Sequence, residues 1–217
     1  ESMGGVVEEF IEGDLKESPS VQCRINPMGK IDIISTHDQL LGGDDEQIFL
    51  GATFPANNEY SVTIANMAVL VTEALRSAGA ICRLGIDFFS VKTKDGWKHY
   101  AIEINLRKGG TTHPFLMLQF LTAGEYYWQD GVYKTYNGGT RCYFATDNLY
   151  NEKYKGLTPH DLIDIAICNN LIYDEGNQSG VMFHMIGALS QYGKLGLVCI
   201  ASTIEAAKDL YKKTLDV

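Results

Sequence analysis

The 217-residue chain lacks any apolar run that approaches a membrane span, for which about 20 consecutive apolar residues are needed. It is also short of basic residues: 18 Lys and Arg stand against 27 Asp and Glu, a formal charge of −9. Phosphate-rich surfaces demand clustered Lys and Arg, so this deficit argues against nucleic acid or an anionic membrane as the main partner. Cysteine is sparse and odd in number. Cys23, Cys82, Cys142, Cys168 and Cys199 are widely spaced in apolar strings, which fits buried, reduced thiols of a cytoplasmic protein and not a disulfide framework or a zinc site. Internal repeats and low-complexity linkers are missing too. What remains is an ordinary globular composition, 45% apolar and 21% charged. A chain of this length buries roughly 70% of its unfolded surface and folds without covalent staples.

The element pattern predicts an α+β fold with a mainly antiparallel sheet. Val6–Ile11 reads as a strand already running near the start, so the chain is expected to be a fragment of a larger fold. Ser20–Asn26 and Ile31–Ser35 form a hairpin around Pro27-Met28-Gly29-Lys30, and the polar stretch Thr36–Gln47 reads as a loop. Ile64, Met67, Ala68, Val71 and Leu75 recur at helical spacing before Gly79, which predicts a core helix without chemistry. A second hairpin joins Gly85–Thr93 to Trp97–Asn105. The glycine-rich run Lys108–Thr112 then leads into a helix over about His113–Ala123, with Pro114 in its first turn and Thr112 or His113 as cap. Glu125–Asn151 reads as turn-rich. A helix from Thr158-Pro159 to about Leu171, strands at Val181–Gly187 and Leu195–Ala201, and a helix over Ile204–Thr214 complete the chain.

The second hairpin carries the most informative residues. Glu103 and Asn105 share a strand face because side chains alternate. A two-residue Asp95-Gly96 turn would set Asp87 away from Glu103. A three-residue turn, Lys94-Asp95-Gly96 with Gly96 left-handed, sets Asp87 directly opposite Glu103. Only the latter sorts Ile86, Phe88, Ile102 and Ile104 to one face and Asp87, Glu103 and Asn105 to the other, so it is the register expected. Two carboxylates and an amide oxygen without His or Cys suit a hard cation, Mg²⁺ or Mn²⁺. The plain alternative is a pair of solvated acids on an open sheet face. Arg107, Lys108, the Gly109-Gly110 pair and the helix start just beyond add cations and backbone donors, and together they point to phosphate chemistry.

Asp87 followed by Glu103-Ile104-Asn105-Leu106-Arg107 resembles the metal-binding signature of ATP-grasp enzymes, and Val7-Glu8-Glu9-Phe10-Ile11-Glu12-Gly13 resembles their hinge strand. The run Asn105–Pro114 is similar to that of pheganomycin-type peptide ligases, as are Ala145–Leu149 and Gly180–Leu189. The resemblance implies the C-terminal part of an ATP-grasp domain over residues 1–125 and a small α+β extension over 126–217. It implies an ATP-dependent carboxylate–amine ligase acting through an acyl phosphate on small-molecule amino acids or peptides, with ATP and Mg²⁺ or Mn²⁺. Asp87, Glu103 and Asn105 would hold the metal; Arg107, Gly109 and Gly110 would serve the transferred phosphoryl; and Glu8, Glu9, Phe10, Ile11, Glu12, His37 and Gln39 would bind the nucleotide. The ribose carboxylate is left open among Glu12, Asp14 and Glu17, and His37 reads equally well as a surface histidine. The family's lysine and glycine-rich phosphate loop are expected upstream of the hinge. Assembly with further copies of the chain is left open.

Other residues carry two readings each. His113 either contacts substrate or phosphate or caps its helix, whereas His184 reads as a hydrogen-bonded core histidine rather than a base. Arg141 and Tyr143 read as surface packing rather than a substrate pocket, and Tyr126-Tyr127-Trp128 as packing between the two modules.

Overall fold

The computed structural model describes residues 9, 11–13, 15–43 and 48–217. Glu9 and Ile11 to Gly13 have no regular structure; the rest of the expected opening strand lies outside the described residues. Among the described residues, nine strands form one sheet: Leu15–Glu17 (β1), Pro19–Ile25 (β2), Ile31–Gly42 (β3), Ile48–Phe54 (β4), Arg83–Thr93 (β5), Gly96–Asn105 (β6), Cys142–Tyr150 (β9), Gly180–His184 (β10) and Lys194–Ala201 (β11). Their order is β1-β5-β2-β3-β4-β9-β11-β10, with β6 on the other side of β5, and every ladder is antiparallel. Glu125–Tyr127 (β7) and Val132–Lys134 (β8) form a separate hairpin.

Helices cover both faces. Ser61–Ser77 (α1) presents Ile64, Ala65 and Ala68 to Val21, Cys23, Leu84, Ile86 and Phe88. Gly79 ends it at φ +88°, a conformation glycine adopts without strain. Thr112–Thr122 (α2) and the β7–β8 hairpin cover the opposite face, where Phe115, Leu118, Tyr126 and Tyr133 pack on Phe54, Tyr143, Val198 and Ile200. Pro159–Cys168 (α3) starts with a capping box: Thr158 N–H donates to Asp161 at 2.7 Å, and Asp161 N–H donates to the Thr158 hydroxyl at 3.2 Å. Leu189–Tyr192 (α4) is a single turn, and Ile204–Leu215 (α5) is capped by Thr203. Because β11 is flanked by two strands and covered on both faces, Leu195 to Ala201 are all buried.

Several expectations change. Thr36 to Gly42, within the expected loop, is strand: β3 runs on to Gly42 and pairs with β4, a strand the pattern did not disclose, and residues 44–47 lie outside the described residues. Its buried Ser35, Thr36 and His37 are polar, which hides the strand from hydropathy. Cys142–Tyr150, expected to be turn-rich, is a central strand between β4 and β11. Helix α2 starts at Thr112 with Thr111 at its N-cap and no side-chain cap bond, so neither Thr112 nor His113 caps it. Ile102 and Ile104, assigned to the core, are 50% and 46% exposed, because α1 packs on β2 and β3 and leaves the edge strand β6 uncovered. Cys23 and Cys199 are buried free thiols, but Cys168 is exposed.

The β4–β9 pairing depends on Gly51, where a Cβ would lie 2.2 Å from the Ala145 carbonyl oxygen. Gly51→Ala is therefore expected to lower stability by about 2–3 kcal/mol, whereas Gly79→Ala, strained only in its φ, loses about 1 kcal/mol. Urea unfolding midpoints at unchanged slope measure both.

Candidate active site

The β5–β6 hairpin places the expected donors together by a route different from the one anticipated. Thr93 pairs with Gly96, so the turn is Lys94-Asp95, with Gly96 beyond it at φ +112°. The Thr93 hydroxyl fastens this turn, donating to Gly96 O at 2.9 Å and accepting from Asp95 N–H at 3.3 Å. That register alone would not face Asp87 with Glu103. A bulge restores it: Phe88 pairs with Ala101 and Asp87 with Glu103, leaving Ile102 as the extra residue. Asp87, Glu103 and Asn105 therefore lie on one sheet face, since Gly85 pairs with Asn105 and Ile86 with Ile104.

Gln39 joins them from two strands away. Its Nε2 donates to Asp87 Oδ1 at 3.0 Å, and Asn105 Nδ2 donates to Asp87 Oδ2 at 3.0 Å. The strand between is β2, where Ser20, the short residue paired with Asp87, leaves room for the reach. Asp87 is pushed up to about 6, first by burial and then by the adjacent Glu103 carboxylate, with the Gln39 and Asn105 amides pulling the other way. Two acids held against each other in a partly dry site are an arrangement that a divalent cation would relieve. The described residues contain no cluster of three or more His, Cys, Asp or Glu that could hold a metal; the donor set here is two carboxylates and an amide, which fits a hard, oxygen-seeking ion with further ligands from elsewhere.

The chain then crosses the same face. Arg107 and Lys108 are exposed, and the Arg107 Nη1 donates to the Lys108 carbonyl at 3.4 Å. Gly109 lies over Gln22 and Gly110 against the Phe49 ring, where a Cβ would sit 3.0 Å from the ring edge. Among the described residues, neither glycine N–H is spent on another group. Lys108 and Thr112 line a narrow cleft with Gln22, Ser35, Arg83 and Phe115. Thr111, at the start of α2, is 4% exposed with an unpartnered hydroxyl.

The remaining expected residues fall as follows. Glu8 and Phe10 lie outside the described residues, as does Asp14. Glu9 and Glu12 are exposed and Ile11 is half-buried, next to Gly13, which passes so close to Val91 that a Cβ would fall 1.9 Å from its Cγ1. Glu17 pairs with Ser90, whose place in the alternation turns it to the α1 face, away from Asp87. His37 is fully buried, neither a surface histidine nor open to solvent: its Nε2 shares a 2.9 Å hydrogen bond with the Tyr143 hydroxyl, and burial lowers its pKa to about 3. Arg141 holds the 177–178 turn through the Asn177 and Gln178 carbonyls at 2.6 and 2.8 Å, and Tyr143 is core. His184, read as a bonded core histidine, is half-buried: its ring has a bond to the Thr146 backbone, while Nε2 is unpartnered and the ring packs on His113.

The fold is that of the ATP-grasp class. An N5-carboxyaminoimidazole ribonucleotide synthetase from Thermotoga maritima superposes with a TM-score of 0.60 at 15% identity, covering 100% of this chain and 55% of that one. A biotin carboxylase from Campylobacter jejuni gives 0.60 at 16% identity, covering 96% and 46%. The chain belongs to the IQCH-like ATP-grasp family, whose sequence model matches residues 1–129, and the PGM1 C-terminal domain matches residues 161–214. It is 30% identical over 204 residues to an L-propargylglycine--L-glutamate ligase from Streptantibioticus cattleyicolor, covering 94% of this chain and 41% of that protein. The chain thus spans less than half the length of that relative.

Asp87 titrates near 3.8 ordinarily and near 6 in the fold, so its ionisation is penalised in the native state. That penalty is absent below pH 4, grows as pH rises and is complete above about 6. Asp87→Asn, whose amide can donate to Glu103, is therefore expected to be about 1 kcal/mol more stable than the unsubstituted protein near pH 7.5, discounted for solvent screening. The gain should vanish below pH 4. Thermal melts at the two pH values check this.

Proposed function

We propose that the chain is the metal- and phosphate-handling part of an ATP-dependent carboxylate–amine ligase, which joins amino acids or short peptides through an acyl phosphate while ATP becomes ADP and phosphate. The observation that carries this reading is the convergence of Asp87, Glu103 and Asn105 on one sheet face, held by Gln39 and followed at once by Arg107 and the Gly109-Gly110 loop. The name of the S. cattleyicolor relative pairs two amino acids, which supports amino acids as the substrate class.

Asp87, Glu103 and Asn105 would hold Mg²⁺ or Mn²⁺, which when bound neutralises charge on the ATP phosphates. Gln39 and Asn105 fix the Asp87 carboxylate through its two oxygens, so the donor atoms are oriented before anything binds. Arg107 presents its guanidinium to the transferred phosphoryl, and the Gly109 and Gly110 N–H groups serve the oxygen on which charge develops in acyl transfer. Backbone at Glu8, Glu9, Phe10 and Ile11 reads the adenine edge, and the ribose takes Glu12 or Asp14 as its carboxylate. His37 belongs to the nucleotide side only through the strand it braces, since its ring is engaged with Tyr143. Residues 1–125 form the nucleotide and metal part and 126–217 its extension, with β4 and β9 running the sheet across that division. Among the described residues no helix is long and apolar enough to cross a membrane.

The test is ATP turnover by the full-length protein with Mg²⁺ and a mixture of protein amino acids and short peptides, read by mass spectrometry. ADP, phosphate and a new amide mass are expected, falling at least about 100-fold in Glu103→Gln. A phosphorylated acceptor without an amide would make the chain part of a phosphotransferase. No turnover and no Mg·ATP binding would make it a non-catalytic ATP-grasp module.

A further inference from the structure

Two histidines distant in sequence meet beyond the glycine loop. His113, in the first turn of α2, is exposed, and its ring centroid lies 4.6 Å from that of His184 at the end of β10, the planes crossing at 65°. The fold makes room for this contact. Gly196 is the β11 partner of His184, and a Cβ there would fall 2.1 Å from the imidazole Cε1. The imidazole therefore occupies space that a side chain at position 196 would fill. Beyond Gly196 the β9–β11 register shifts between Thr146 and Leu149, which brings Asp147 near enough to act on the ring.

Nothing assigned so far uses this pair. His184 Nε2 is buried without a hydrogen-bond partner, so the ring's bond to the Thr146 backbone falls to Nδ1. Nδ1 is then the donor and Nε2 an acceptor lacking a donor. Burial first, then the His113 ring, holds His184 below its usual range, with Asp147 and the Thr146 bond opposing.

We propose that His113 is the catalytic base of the amide-forming step, taking a proton from the attacking amine, and that His184 is its positioning residue, packed edge-to-face on it with an unpartnered Nε2 that takes up the His113 N–H when substrate binds. This rests on the ligase reading above. In the step, the amine nitrogen forms a bond to the acyl carbon. The bond from that carbon to the phosphate oxygen breaks, its electron pair leaving on inorganic phosphate, and the surplus amine proton passes to the free nitrogen of His113. Asp147 lies near enough to act on the His184 ring beside it. Gly109, Gly110 and His113 lie on one short stretch of backbone, so the loop serving the acyl phosphate and the base serving the amine are set by the same segment. Catalytic hydrogen bonds of this kind tighten when substrate arrives.

The experiment separates the two half-reactions in the full-length protein. With Mg·ATP, a mixture of protein amino acids and hydroxylamine, acyl phosphate is trapped as hydroxamate by a nucleophile that is already a free base at neutral pH. Without hydroxylamine, the same mixture reports amide formation. His113→Ala is expected to keep hydroxamate formation within about twofold and to lose amide formation about 100-fold or more, with partial recovery when free imidazole is added. His184→Gln, which keeps an acceptor oxygen, should lose less than His184→Leu. An equal fall of both half-reactions, or no fall in either, would overturn the base assignment. Absence of hydroxamate from the unsubstituted protein would instead overturn the ligase reading, and the base with it.

Discussion

Two like charges set side by side organise this site. Asp87 and Glu103 face each other across one antiparallel ladder, and the Asp87 carboxyl is displaced upward by burial and by its neighbour. A fold gains nothing from such a pair by itself, since like charges directly opposed in a sheet are destabilising. What keeps it in place is a set of local devices. The Ile102 bulge corrects the register, Asn105 and Gln39 each donate to one Asp87 oxygen, and Ser20 keeps the intervening strand clear. Strain of this kind at a site that fits a cation is what the stability–function trade-off leads one to expect.

The rest of the structure gives that pair a rigid floor and a roof. Helix α1 packs Ile64, Ala65 and Ala68 against the far face of β2 and β5, fixing the floor from below. Helix α2, entered through Arg107 to Thr111, lies over the same face as the carboxylates and is anchored by Phe115 and Leu118 in an aromatic cluster around Phe54. The phosphate-side loop is thus held at both ends, by the edge of β6 and by a buried helix. The extension contributes through the sheet itself: β9, β11 and β10 continue it past β4 and bring His184 to His113.

Much of this was legible in the residues because the signals are local. The α1 stripe, the second hairpin with glycine at positive φ and the Thr158 helix start follow from spacing and turn chemistry, and the facing of Asp87 with Glu103 follows from the sorting of apolar and polar faces. What stayed hidden depends on tertiary partners. The end of β3 carries buried polar residues such as Thr36 and His37, so hydropathy does not mark it, while β4 and β9 hold short apolar runs in which Gly51 and Thr146 interrupt the strand pattern. The turn was read one residue too long because a bulge further along has the same effect on register. Gln39 was assigned to the nucleotide, yet its amide is spent on Asp87, a contact two strands away that no spacing rule reveals. The approach of His113 to His184 likewise needs the folded sheet, although Gly196, opposite a histidine, is the kind of position that records it.

The central claim is that Asp87, Glu103 and Asn105 hold a divalent ion together. Crystals of the full-length protein grown with Mn²⁺ and a non-hydrolysable ATP analogue test it directly through the anomalous signal of manganese. The expected result is a peak about 2.1 Å from oxygens of Asp87 and Glu103, with the Asn105 side-chain oxygen turned toward it and the analogue's phosphates on its far side. Manganese bound to the phosphates but remote from both carboxylates, or a bound analogue with Asp87 and Glu103 still in direct contact and no ion between them, would contradict the account.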